Sequence, residues 1–111
     1  MLTVDKLRQF GANVDEGLQR CMNNEAFYLR MVSLFLQDKS FDALKANIEK
    51  GDLDEAFKAS HALKGVLGNL ALTSLYEIIC ETTELLRNKT QCDYSGYIQK
   101  YENLYQNLIS L

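Results

Sequence analysis

Asp52-Leu53-Asp54-Glu55-Ala56-Phe57-Lys58-Ala59-Ser60-His61-Ala62-Leu63-Lys64-Gly65-Val66-Leu67-Gly68-Asn69-Leu70-Ala71 is the longest helical pattern in the chain, and its reading decides the fold. At about 100° per residue, Leu53, Ala56, Ala59, Ser60, Leu63, Val66, Leu67, Leu70 and Ala71 fall in one arc. That arc is the core face of an amphipathic helix. Asp52 with Glu55 three residues on has the spacing of a capping box, and Gly51 is a left-handed stop for whatever precedes it.

The pattern repeats on either side. Upstream, Thr3 to Phe10 ends at Gly11, and a second segment starts at Asp15 and runs to Met22. Phe27, Met31, Leu34 and Phe35 give Glu25 to Gln37 an apolar stripe, and Ser40 caps a segment striped by Phe41, Leu44 and Ile48. Residues 25–37 and 40–50 are two helices or one bent one. Downstream, Thr73 or Ser74 opens a helix reaching Arg87, with Leu75, Ile78, Ile79, Thr82, Leu85 and Leu86 on one face. Asp93 starts the last, in which Tyr97, Tyr101, Leu104, Tyr105 and Leu108 recur at helical spacing. The aromatic stripes in 25–37 and 93–110 read as core rather than as a cofactor box. The expected architecture is all-α: an up-down four-helix bundle with short additional N-terminal helices, in a single domain over residues 1–111.

Composition agrees. The 111 residues contain no proline, although average usage of about 5% would supply about five or six, and helix interiors are where proline costs most. A net charge of -3, without a run of four like charges, disfavours nucleic acid, whose phosphates need a concentrated basic stripe. No stretch approaches the roughly 20 apolar residues that span a bilayer, and the acid at Asp5 argues against a signal peptide. Cys21, Cys80 and Cys92 are odd in number and lack CxxC spacing, which indicates neither a disulfide framework nor a zinc site. A cytoplasmic, free-standing monomer is the expectation.

His61, the one histidine, lies outside the core arc with Asp54, Lys58, Gly65 and Asn69 on the same polar side. Gly65 and Gly68 interrupt the helix interior at about 1 kcal/mol each relative to Ala. Both lie close to His61 on the helical wheel, one and two turns on, and strip side chains from the surface beside it. Close helix packing would also use glycine, but Gly65 faces away from the core arc. Lys64 and Lys58, each three residues from His61, bring two cations within a turn. A solvated face explains lysines alone; with the histidine and glycines they suit a site that carries negative charge.

Metal chemistry fails on inventory, since positions 57, 58, 64 and 65 are Phe, Lys, Lys and Gly, with no ligand at i±3 or i±4. A nucleophilic triad has only distant Ser and Cys candidates. An exposed imidazole, with an ordinary pKa near 6.5, keeps a free ring nitrogen at cellular pH and can attack a phosphoryl group. A nearby ammonium stabilises the charge that such a group carries.

The run Ala59-Ser60-His61-Ala62-Leu63-Lys64-Gly65 contains HxLKG in mid-helix and resembles the histidine-containing phosphotransfer (HPt) domain of two-component phosphorelays. The resemblance extends over residues 13–110, through Val14-Asp15, Phe27-Tyr28 with Phe35, Gly51-Asp52-Leu53 and the Leu75 helix. It implies a four-helix bundle without catalytic activity of its own, in which the histidine exchanges a phosphoryl group with receiver-domain aspartates. His61 is then the phosphoacceptor, Lys64 the charge-stabilising lysine and Gly65 the access glycine, with Gly68, Lys58, Ala62 and Asn69 on the docking surface. Partners would be receiver domains of response regulators or of hybrid sensor histidine kinases. The chain itself would hold no metal or cofactor, the magnesium ion belonging to the receiver.

Two departures stand out. The family usually has Gly where this chain has Ala71, and Leu and Glu where it has Thr82 and Thr83. A glycine equivalent to Gly68 is common in the chemotaxis-kinase version, a minor alternative. The rival from another class is a phosphate-inactive helical bundle that only binds a partner. A general acid–base enzyme would need a cleft with a second titratable group beside His61, and the wheel shows none.

Overall fold

The computed structural model describes residues 2–111 and shows, within them, helices without strands. The helices are α1 (Val4–Phe10), α2 (Val14–Arg20), α3 (Glu25–Phe35), α4 (Ser40–Lys50), α5 (Leu53–Leu70), α6 (Thr73–Arg87) and α7 (Ser95–Ile109). Residues 25–37 and 40–50 thus belong to two helices. Connectors as short as Gly51-Asp52 and Ala71-Leu72 reverse the chain between packed neighbours, so α4 lies along α5, α5 along α6, and α6 along α7. Side chains join α4 to α7: Phe41 stacks on Tyr101 at 4.1 Å, and Lys45 pairs with Glu102 at 2.7 Å. These four make the bundle. Helices α2 and α3 pack against α5, and α1 bridges α2 and α7.

α5 buries Ala56, Ser60, Leu63, Leu67 and Leu70, a face chosen by apolar periodicity, against Leu75, Ile79 and Leu86 of α6 and the rest of the core. Its start follows the expected cap, the Asp52 carboxylate accepting the Glu55 amide at 3.1 Å. Gly51, with φ 78°, takes the left-handed turn that ends α4. Ala71 holds a left-handed φ of 54° at the end of α5, a conformation in which the missing Cβ of glycine is an advantage. The departure at this position therefore leaves the backbone turn in place with a costlier residue.

Several expected caps are displaced. Asn13, not Asp15, caps α2 by accepting the Glu16 amide at 3.3 Å, while Asp15 pairs with Arg8. Asp38 and Asp93 accept the amides of Ser40 and Ser95 two residues on, so Ser40 is the first residue of α4 rather than its cap. Hydrogen bonds from Ser95, side chain first and backbone second, hold the Asp93 carboxyl below its ordinary pKa. α2 stops at Arg20 rather than Met22 because Met22 and Asn23 are both left-handed.

Phe27 and Leu34, expected in the core, are exposed. The stripe that α3 buries is Tyr28, Val32 and Phe35, which has the same spacing one residue on. Periodicity cannot choose between adjacent stripes on a helix apolar around much of its circumference. Gly17 is buried inside α2. A Cβ there would overlap the Tyr28 ring and stand 3.0 Å from the Leu70 carbonyl oxygen. That absence lets α2 lie close to α5, with the Tyr28 hydroxyl donating to the same carbonyl at 2.9 Å.

Candidate functional site

His61 is exposed midway along α5. The turn beneath it is fixed from below by a buried hydroxyl relay. Thr83 of α6 donates to the Ile79 carbonyl at 2.6 Å, as a threonine in a helix does to its preceding turn. With that proton committed, the Ser60 hydroxyl 2.6 Å away must be the donor to Thr83 Oγ1. The departure at position 83 thus accommodates a serine hydroxyl next to the histidine. Thr83→Val should cost on the order of 1–3 kcal/mol by stranding the Ser60 hydroxyl. Adding Ser60→Ala should recover most of that stability, which paired thermal denaturation would read.

The imidazole lies against Phe57, one turn earlier, with ring centroids 5.7 Å apart and planes 28° from parallel. The Arg87 guanidinium of α6 sits 5.0 Å over the same Phe57 ring. Phe57 therefore covers one side of the imidazole and is itself pinned, which restrains the orientation of the ring.

On the other side of His61 is a shallow depression of about 300 Å3, lined by Arg20, His61, Lys64, Gly65, Gly68, Asn69 and Tyr76. Lys64 is half-buried and Asn69 exposed. A Cβ on Gly65 would meet nothing within 4 Å, so the absence of a side chain leaves open space next to the imidazole. Gly68 differs: it lies nearer the core arc, and its Cβ would come 3.1 Å from the Tyr76 ring, so this glycine has a packing neighbour where Gly65 has none. Gly65→Ala should therefore stabilise the protein by up to about 1 kcal/mol through helix propensity. Gly68→Ala should gain less or lose, because Tyr76 must give way. Melting of the two variants side by side checks the difference.

Not every expected site residue joins this depression. Lys58 points to a separate groove with Asp54, Phe57, Leu86, Arg87 and Lys89 and pairs with Glu55 at 3.0 Å, an interaction that raises its pKa. Ala62 is exposed but does not line the depression. Arg20 and Tyr76 were not legible on the α5 wheel because they come from α2 and α6. Phe57 had a signal, its i−4 spacing from His61. The Tyr76 phenol has its pKa raised chiefly by hydrogen bonding to Cys80, and Arg20 nearby pulls it the other way. Among the described residues no cluster of three or more His, Cys, Asp or Glu side chains is placed to hold a metal.

The family model for the Hpt domain matches residues 30–110, more than half of the chain. The match begins within α3 and contains α4 to α7, leaving α1 and α2 outside it. Neither a curated protein nor a solved structure matches the chain at a significant level.

Proposed function

The chain belongs to the Hpt domain family of two-component phosphotransfer, and on that premise we propose that it carries a phosphoryl group on His61 between receiver-domain aspartates. The receivers would belong to response regulators or to hybrid sensor kinases, in the cytoplasm, with the chain acting as a monomer. The observation that carries this reading is an exposed imidazole beside the open space over Gly65, within a depression that also holds Lys64.

The step needs little from this chain beyond a positioned nucleophile. The lone pair of the unprotonated ring nitrogen attacks phosphorus of the receiver's acyl phosphate. A P–N bond forms as the P–O bond to aspartate breaks, and its electron pair leaves on the carboxylate. The second ring nitrogen keeps its proton, so the first product is a phosphoimidazolium, from which the reverse attack by another receiver's aspartate regenerates free His61. Lys64 offsets charge on the equatorial oxygens. Gly65 and Asn69, with Gly68 at the margin, face the docked receiver, which brings its own magnesium ion. No step consumes a substrate, so the chain is a stoichiometric carrier.

The test is incubation with a phosphorylated receiver, following label onto this chain and from it to a second receiver. Transfer onto the chain that is slowed by Gly65→Gln, with a small donor such as phosphoramidate less affected, is the expected pattern. A folded protein that takes no label from any receiver or small donor would be the phosphate-inactive binding module instead.

A further inference from the structure

Arg20, at the last turn of α2, lines the same depression as His61 of α5. Its place there follows from Gly17. One turn earlier, the missing side chain lets α2 approach Tyr28 and the Leu70 carbonyl, which brings the end of the helix alongside α5. Gly68, where a Cβ would come 3.1 Å from the Tyr76 ring, lines the depression together with Arg20, Tyr76 and His61. Arg20 is half exposed and held by Glu16, its Nε and Nη2 donating to Oε1 at 3.3 and 3.0 Å.

A cation at the end of a helix, paired i to i+4 with an acid, has an ordinary explanation in the macrodipole and the ion pair. That explanation does not require the guanidinium to border the same depression as the sole histidine. Lys58, the second cation expected beside His61, is turned away to Glu55, and Arg20 occupies the role it vacates.

We infer that Arg20 is a second phosphate-binding cation of this site, released from Glu16 to contact the phosphoryl group on His61 together with Lys64. This rests on His61 being the phosphoacceptor and adds a residue from outside the segment that matches the family. A solvent-exposed carboxylate pair is weak. A phosphoryl group brings nearly two negative charges and a set of oxygens suited to the guanidinium fork, so it competes well for the same donors. Glu16 then acts as a restraint on Arg20. Removing the restraint and removing the cation must have opposite effects.

The experiment uses phosphoramidate, whose ammonia leaves as the His61 nitrogen takes the phosphorus, so receiver docking does not enter. The phosphorylation rate and the lifetime of the phosphorylated protein are measured on the full chain. Arg20→Ala should slow phosphorylation and shorten the lifetime by about threefold to thirtyfold, with Arg20→Lys recovering part of both. Glu16→Gln should change both about twofold in the opposite direction, and the double variant should behave as Arg20→Ala alone. Melting temperatures of these surface variants should lie within a few degrees of the parent. If the parent accepts phosphate and Arg20→Ala matches it, or if Glu16→Gln retains its effect without Arg20, this role for Arg20 is wrong and the phosphocarrier reading stands. A parent that never accepts phosphate overturns both.

Discussion

Replacement of His61 by Gln should abolish phosphoryl acceptance and leave helical content and melting temperature almost unchanged. The side chain is exposed, and substitutions of exposed residues usually move stability by less than about 0.5 kcal/mol. What holds this turn of α5 lies elsewhere, in Ser60, Leu63 and the Thr83 hydroxyl, all buried. The substitution removes the stacking of the imidazole on Phe57, a ring that stays under Arg87. Acceptance without the imidazole, measured as label per mole of folded protein, would move the phosphoacceptor to another residue. Failure of acceptance together with collapse of the helical signal would make His61 a structural residue.

Lys64→Ala should give the second large effect, a slowing of transfer by roughly tenfold to a thousandfold without loss of the acceptor. The lysine forms no bond to phosphorus. Its proposed part is to keep a positive charge close to oxygens whose charge redistributes during transfer; the residue is half-buried and lines the same depression as the imidazole. Charge at this exposed rim is screened by salt, so the ratio of parent to variant rates should shrink as ionic strength rises. Equal rates at low salt would reduce Lys64 to a solvated surface lysine. The comparison requires both receiver and small-donor kinetics, because a defect confined to the receiver would place the lysine in docking rather than in chemistry.

The part of this molecule most legible in the sequence is α5. Its Asp52 cap follows from the spacing to Glu55, and its core arc and the outward direction of His61 follow from one apolar periodicity, because a helix buried along a single face leaves only one way to turn. The all-helical bundle followed from the same periodicity repeated and from the absence of proline. Where two adjacent stripes were equally apolar, as in α3, spacing placed Phe35 correctly but could not show that Tyr28 and Val32 would be inside and Phe27 and Leu34 outside. Capping was legible in kind but not in place: Asn13 and Asp38 stood two residues ahead of Asp15 and Ser40, and either of each pair can accept an amide.

The site was half visible for a related reason. A wheel drawn for one helix shows what shares that helix, so Lys64 and Gly65 were found and Arg20 and Tyr76 were not. Gly68 illustrates the limit well, since its distance from His61 along α5 was right and its approach to Tyr76 of α6 could only come from packing. Gly17 is the more consequential omission. The glycine inside short α2 lets that helix approach α5, and Arg20 at its end lines the same depression as the histidine, neither of which spacing along one helix can show.

Phosphorus NMR of the intact protein after phosphorylation by a receiver bears most directly on His61 as the carrier. The account predicts one phosphorus–nitrogen species, stable in alkali, destroyed by acid, discharged by a second receiver and absent from the His61→Gln protein. A signal from an acyl phosphate or a phosphate ester, or a phosphorus–nitrogen signal that survives in the His61→Gln protein, would contradict it.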